Sequence, residues 1–205
     1  MIEIERFIGN GAIAALFRVR GDHSLAVKII FNRSDNLKKE ILERELKVSR
    51  TLKELGVDIP TYESVIQVKI PEHIEQTFLK SSAEVSSRPD FYKQMKQYFI
   101  DHKGQTVWGL VMENIPDDSI VLQCSNKTTL ISKNRISKIF EKEYEKIHLL
   151  GISTVDSASY TNIIWSESKA KLYFIDFADW DLSGLGNEKT IARNREWINQ
   201  RKLRS

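Results

Sequence analysis

The chain has 205 residues, 41% of them apolar and 29% charged, with a formal net charge of +3. That is the balance of a globular domain able to bury its own core, and the charge is too small to single out nucleic acid as a partner. The lone Cys124 excludes an internal disulfide framework and a cysteine-based zinc cage, the four histidines lack metal-ligand spacing, and no apolar run approaches the ~18 residues of a membrane span.

The N-terminal stretch MIEIERFIGN carries early acids and no basic segment followed by a long apolar one, so it does not read as a Sec-type signal peptide. Ile2, Ile4 and Phe7-Ile8 alternate as a strand. GNGAIAALFRVRGDHSLAVKIIFN continues as Gly turn, strand, Gly21-Asp22 turn and strand. The period then changes. Leu37, Ile41, Leu42, Leu46, Val48, Leu52 and Leu55 predict an amphipathic helix over 35–55, with Ser34 or Asp35 as N-cap and Gly56 closing it. VDIPTYESVIQV runs out extended, Pro60 restricting the residue before it. Residues 71–104 are polar, with a helix near 90–100; Phe91, Tyr92, Tyr98 and Phe99 read as core, and the insert as a substrate- or partner-binding element or a variable loop.

TVWGLVMENI predicts a strand ending on a polar step, and 116–130 a loop with short turns. A second amphipathic helix over 132–150 carries Ile136, Ile139, Phe140, Ile147, Leu149 and Leu150 and ends at Gly151. His148 on it reads as a packed helix residue. NIIW and KLYFID are short strands joined by SESKAK. From Asn187 the pattern is helical and basic, with Lys189, Arg193, Arg195, Arg201, Lys202 and Arg204 on a solvated face and Trp197 and Ile198 packing inward.

Four stretches carry possible chemistry. Gly9-Asn10-Gly11-Ala12-Ile13-Ala14 is a turn poor in side chains, where backbone N–H groups can approach phosphate oxygens. Ala26-Val27-Lys28 puts a cation in mid-strand. The helix after it offers Glu40, Glu43 and Glu45 as partners for that cation; Glu45, one turn from Ser49 and two from Leu52, is the inward choice, with Glu43 second. IHLLGISTVDSASYTNIIW places Asp156 just after the long helix and Asn162 just before a strand, and the next strand runs into Asp176-Phe177-Ala178. Taken singly, each has a plain alternative: a hairpin turn, a solvent-facing lysine, a surface pair such as Glu43 with Lys47, or an aspartate in a post-strand turn.

In this order, over roughly residues 5–180, the elements resemble the protein-kinase superfamily. The resemblance implies a two-lobed α+β fold. Residues 1–114 would form an N-lobe with an antiparallel sheet, a Gly-rich loop, a strand lysine and the helix known as αC. Residues 115–205 would form a shortened helical C-lobe with the catalytic loop, the DFA metal site and a basic C-terminal helix. It further implies ATP and Mg2+ as cofactors. Gly9, Asn10, Gly11, Ala26, Lys28 and Glu45 would hold the nucleotide, with Met112 as gatekeeper, Glu113 following it and Ile115 offering backbone groups to adenine. Asp156 would orient the acceptor hydroxyl, with Lys28 as its catalytic companion, and Asn162 and Asp176 would bind the metal.

The match departs from the superfamily pattern in places. Ala14 replaces the third glycine, Thr154 stands where the pattern has His, Asn162 follows Asp156 by one position more than usual, and Ala158 replaces a common lysine. Only 29 residues follow Asp176, with no A-P-E motif. In this the chain resembles the minimal effector kinases that pathogenic bacteria inject into host cells. The expectation is therefore a monomeric serine/threonine protein kinase, cytoplasmic or secreted into a host, acting on a protein such as a host signalling or chaperone protein, with no nucleic-acid partner and no membrane span. The alternatives are a sugar or lipopolysaccharide-type small-molecule kinase, suggested by LKELGVDIPTYESV, and a nucleotide-binding pseudokinase.

Overall fold

The computed structural model describes residues 2–79, 89–116, 119–121, 130–153, 163–177 and 180–202. The chain divides into two compact units: residues 1–46 with 61–114, and residues 47–60 with 115–205. Among the described residues no helix is long and apolar enough to cross a membrane.

The first unit holds five strands, β1 (Ile2–Asn10), β2 (Ala14–Val19), β3 (Asp22–Ile30), β4 (Tyr62–Lys69) and β5 (Thr106–Glu113). They close into a barrel in the order β1-β2-β3-β5-β4. Its pairings are antiparallel except the closing one, where Ile2 lies opposite Val68 and Glu3 opposite Lys69 in parallel register. The period of two sorts the side chains. On β3, Val27, Ile29 and Phe31 enter a core shared with Phe7, Phe17, Val68 and Val111, while Ala26, Lys28 and Ile30 take the opposite face. The β2–β3 turn is tied by Asp22, whose Oδ1 accepts from the Ser24 hydroxyl at 2.6 Å and its N–H at 2.9 Å. The hydroxyl first, then the N–H, hold this carboxyl below the usual range.

Two helices within 71–104 contribute to that core. Helix α2 (Ile74–Leu79), which the sequence reading leaves unassigned, buries Ile74 and Phe78, and helix α3 (Pro89–Asp101) buries Met95 and Phe99. Phe17 meets Phe99 edge-on at 4.7 Å between centroids, and Phe7 meets Phe78 at 5.7 Å. Truncating a buried phenylalanine costs about 3–5 kcal/mol. A domain's whole stability is about 5–15 kcal/mol. Helices α2 and α3 are therefore structural and not part of a dispensable loop.

Helix α1 (Asp35–Glu54) begins in the first unit and ends in the second. Its end is a glycine cap: the Gly56 N–H reaches the Lys53 carbonyl at 2.9 Å and the Val57 N–H reaches Leu52 at 2.9 Å, with Gly56 at φ +72°. The second unit continues with β6 (Ser119–Val121), inside a stretch expected to be loop, then α4 (Leu130–Leu149), β7 (Ile163–Ser166), β8 (Lys171–Phe174) and α5 (Glu188–Lys202). Strands β6-β7-β8 form an antiparallel sheet. Its core gathers Phe140 and Ile147 of α4 with Trp165, Leu172, Phe174, Phe177 and Trp180. His148 packs edge-on against Tyr144 at 4.4 Å. The side chains of Trp197 and Ile198 lie outside the described residues.

Candidate functional site

Lys28 lies on β3 opposite Leu16 and Leu110, on the strand face away from the aromatic core. On α1 the buried positions Lys38, Leu42, Glu45, Ser49 and Leu52 recur in steps of four and three, a single helical stripe. Glu45 is on that stripe; Glu40 and Glu43 are exposed, Glu43 meeting Lys39 at 3.4 Å on the surface. The Lys28 ammonium donates to both Glu45 carboxylate oxygens, at 3.0 and 2.8 Å, with Lys28 9% and Glu45 0% exposed. Replacing a buried ion pair of this kind by apolar side chains is often neutral or stabilising, so folding alone gives weak reason to keep it.

Gly9 and Gly11 flank the β1–β2 turn, where the Gly11 N–H reaches the Ala14 carbonyl at 2.9 Å and the Asn10 amide donates to the Gly11 carbonyl at 3.1 Å. A Cβ added at either glycine would meet no protein atom within 4 Å, so internal packing does not account for them. Ala26 lies opposite Met112, and both are buried. Glu113 exchanges contacts with Thr61: its N–H donates to the Thr61 carbonyl at 2.7 Å, and its carboxylate accepts the Thr61 N–H at 3.1 Å. Asn114 then donates through its N–H to Ser24 and through its side-chain amide to His23, at 2.7 and 3.0 Å. These bonds pin the end of β5. Ile115, half-buried, opens the stretch assigned to the second unit.

In the second unit Asp176 follows β8 between buried Phe174 and Phe177 and is itself exposed. Its φ of +57° is left-handed, which few residues other than glycine adopt and which aspartate tolerates better than most. A strained residue of this sort points to function when its surroundings hold it in place. Here Phe177 is fully buried and its carbonyl accepts from the Trp180 N–H at 3.0 Å.

Asp156, Asn162, Thr154, Ala158 and Ala178 lie outside the described residues. Backbone pairing anchors the chain on either side of 154–162. Ser153 and Asp181 exchange both backbone hydrogen bonds, at 3.0 and 2.9 Å, and Ile163 pairs with Phe174. Both flanks are thus fastened to the segment that carries Asp176. Gly151 makes this possible: at φ +84°, an added Cβ would fall 2.0 Å from the Gly184 carbonyl oxygen. The Asp181 carboxyl is held below its usual range, first by the Ser183 N–H at 2.8 Å and then by that residue's hydroxyl. Sequence reasoning passed over this clasp and over Lys38, although a lysine on an otherwise inward stripe was the available signal.

No family model matches the chain, and no curated protein does. Among the 517 solved chains that match is a Stt7 homolog, a kinase, from Micromonas algae, soaked with ATP; the TM-score is 0.54 at 16% identity. The fold is kinase-like. The match covers 87% of this chain and 49% of the other, so the chain spans about half the length of that kinase.

Proposed function

We propose that the chain is a protein kinase that binds Mg-ATP and transfers its γ-phosphoryl group to a serine or threonine hydroxyl. The observation that carries this reading is the buried Lys28–Glu45 pair in a kinase-like fold. A lysine held by a carboxylate presents a fixed positive charge to the nucleotide's α- and β-phosphates, and phosphoryl transfer depends chiefly on positioning and charge neutralisation. The open glycine turn would admit phosphate oxygens to backbone N–H groups, and the Ala26–Met112 pair would offer a base an apolar surface. Ile115 offers backbone groups to its edge.

Among the described residues no group of three or more His, Cys, Asp or Glu side chains gathers into a metal cage. Magnesium takes one or two carboxylates and fills the rest of its shell with water and substrate phosphate. Asp176 and Asn162 would hold it, and when bound it neutralises charge on the transferring phosphate. Asp156 would orient the attacking hydroxyl and receive its proton. As an effector it would act in monomeric form on a host protein such as a signalling or chaperone protein.

The test is incubation of wild type and Asp176→Ala with γ-labelled ATP and host-cell extract, with sugars as competing acceptors. Label on protein bands with the wild type alone is expected. Label on sugars only would make it a small-molecule kinase. Binding of ATP without transfer to either would make it a pseudokinase, and equal labelling by both proteins would overturn the role of Asp176.

A further inference from the structure

Residues 71–104 carry none of the kinase-like motifs, yet α3 reaches α1 through one buried cation. Lys38, 6% exposed, donates to Asp35 Oδ1 at 2.8 Å and to the Tyr98 hydroxyl at 3.1 Å, and its ammonium lies 4.4 Å from the centre of the Tyr98 ring. Tyr98 is in turn fixed on α3. Its ring packs edge-on against Phe99 at 5.2 Å and lies over His102 at 4.1 Å, and the His102 Nδ1 meets the Tyr98 carbonyl at 2.8 Å. Phe99 is fully buried in the aromatic core, so α3 is a firm anchor. One residue along from Lys38, Lys39 lies over the Trp108 ring of β5 at 4.7 Å.

Lys38 and Glu45 share the buried stripe of α1, two turns apart. Two anchors on one stripe set a helix's rotation about its own axis. Since each residue accounts for about 100° of that rotation, a slip by a single position would carry Glu45 off the strand face that bears Lys28. We propose that α3 is a resident brace for α1, with Lys38 and Tyr98 as positioning residues that keep Glu45 turned toward Lys28, so that the chain itself sets the pair. The inference rests on the reading of that pair as the nucleotide-holding charge, and it adds what keeps it assembled.

The experiment measures acylation of the Lys28 amine by an N-hydroxysuccinimide ester, quantified by peptide mass spectrometry as the ratio of Lys28 to Lys171 labelling in the same molecule. Tyr98→Phe keeps the ring and removes only the hydroxyl; Lys38→Met keeps the chain length and removes the charge; Glu40→Gln, at an exposed position of α1, is the control. The ratio should rise about threefold or more in the first two and stay at the wild-type value in the third, in line with the loss of one or two hydrogen bonds. In an active preparation kcat should fall with the KM for the protein acceptor unchanged. A Lys28 to Lys171 ratio that stays at the wild-type value in Tyr98→Phe overturns the brace, and that variant decides the matter if Lys38→Met does not fold. Because the labelling ratio needs no turnover, a wild type that transfers no phosphoryl group would sink the kinase reading and leave the brace to be judged separately.

Discussion

Lys28 and Glu45, seventeen positions apart, meet through both carboxylate oxygens at 3.0 and 2.8 Å in a site where the glutamate has no exposure at all. Breaking such a pair from one side strands the other charge. Lys28→Met should therefore destabilise the chain by about 3–5 kcal/mol, seen as a lower urea midpoint at unchanged slope. Lys28→Met combined with Glu45→Leu should recover most of that stability. Neither variant should transfer phosphate.

Gly109 leaves no room for a side chain inside the barrel. A Cβ there would lie 2.6 Å from Val27 Cγ1 and 2.7 Å from Val68 Cγ2. Both are stiff β-branched side chains on paired strands, so neither yields easily. Gly109→Ala should cost about 1–3 kcal/mol through overpacking. Adding Val68→Ala should return part of it, and thermal melts of the two singles and the double variant measure the coupling.

Asp176 separates stability from chemistry. Its φ of +57° suits glycine, so Asp176→Gly should keep the melting temperature within the equivalent of about 1 kcal/mol of wild type. Phosphoryl transfer should nevertheless fall by about 100-fold or more, because the ligand that orients the cation is gone. Asp176→Val, branched at the strained position, should lose both. Melting curves beside γ-phosphate transfer rates distinguish the three.

The brace should make stability pH-dependent at the alkaline end. Burial pulls the Lys38 ammonium down, but its hydrogen bonds to Asp35 and Tyr98 and their charges outweigh this, so its pKa ends above the ordinary 10.5. Burial pushes the Tyr98 hydroxyl above 10.0, against the hydrogen bond from Lys38. A group that is easier to keep protonated when folded contributes stability that is complete below its unfolded pKa and is lost as pH rises through the folded one. Both signs agree: the melting temperature should decline above pH 10 more steeply in wild type than in the Lys38→Met/Tyr98→Phe double variant, which carries neither group.

Much of the first unit is legible in the sequence because its signals are local. Alternation places Lys28 and Val27 on opposite faces of β3, and the steps of four and three place Glu45 on the buried side of α1. The Gly21 and Gly56 turns fall where the periods break. The parallel pairing of Ile2 with Val68 leaves no local trace, since closing a barrel is a matter of long-range register. Helix α2 is only six residues long, too short for a periodic pattern, and β6 is three residues inside a polar stretch. The clasp of Ser153 with Asp181 joins backbones and depends on which residues face each other, not on which residues they are. Lys38 goes unnoticed because of its charge: lysine on a helix is usually at the surface, and only the positions of its neighbours on the stripe give it away.

The most direct measurement is calorimetric titration of ATP, with and without magnesium, into wild type and Asp176→Gly. Saturable binding that strengthens with magnesium in wild type and loses that strengthening in the variant is the predicted result. Absence of binding to a folded wild type, or the same magnesium response in both proteins, would contradict it.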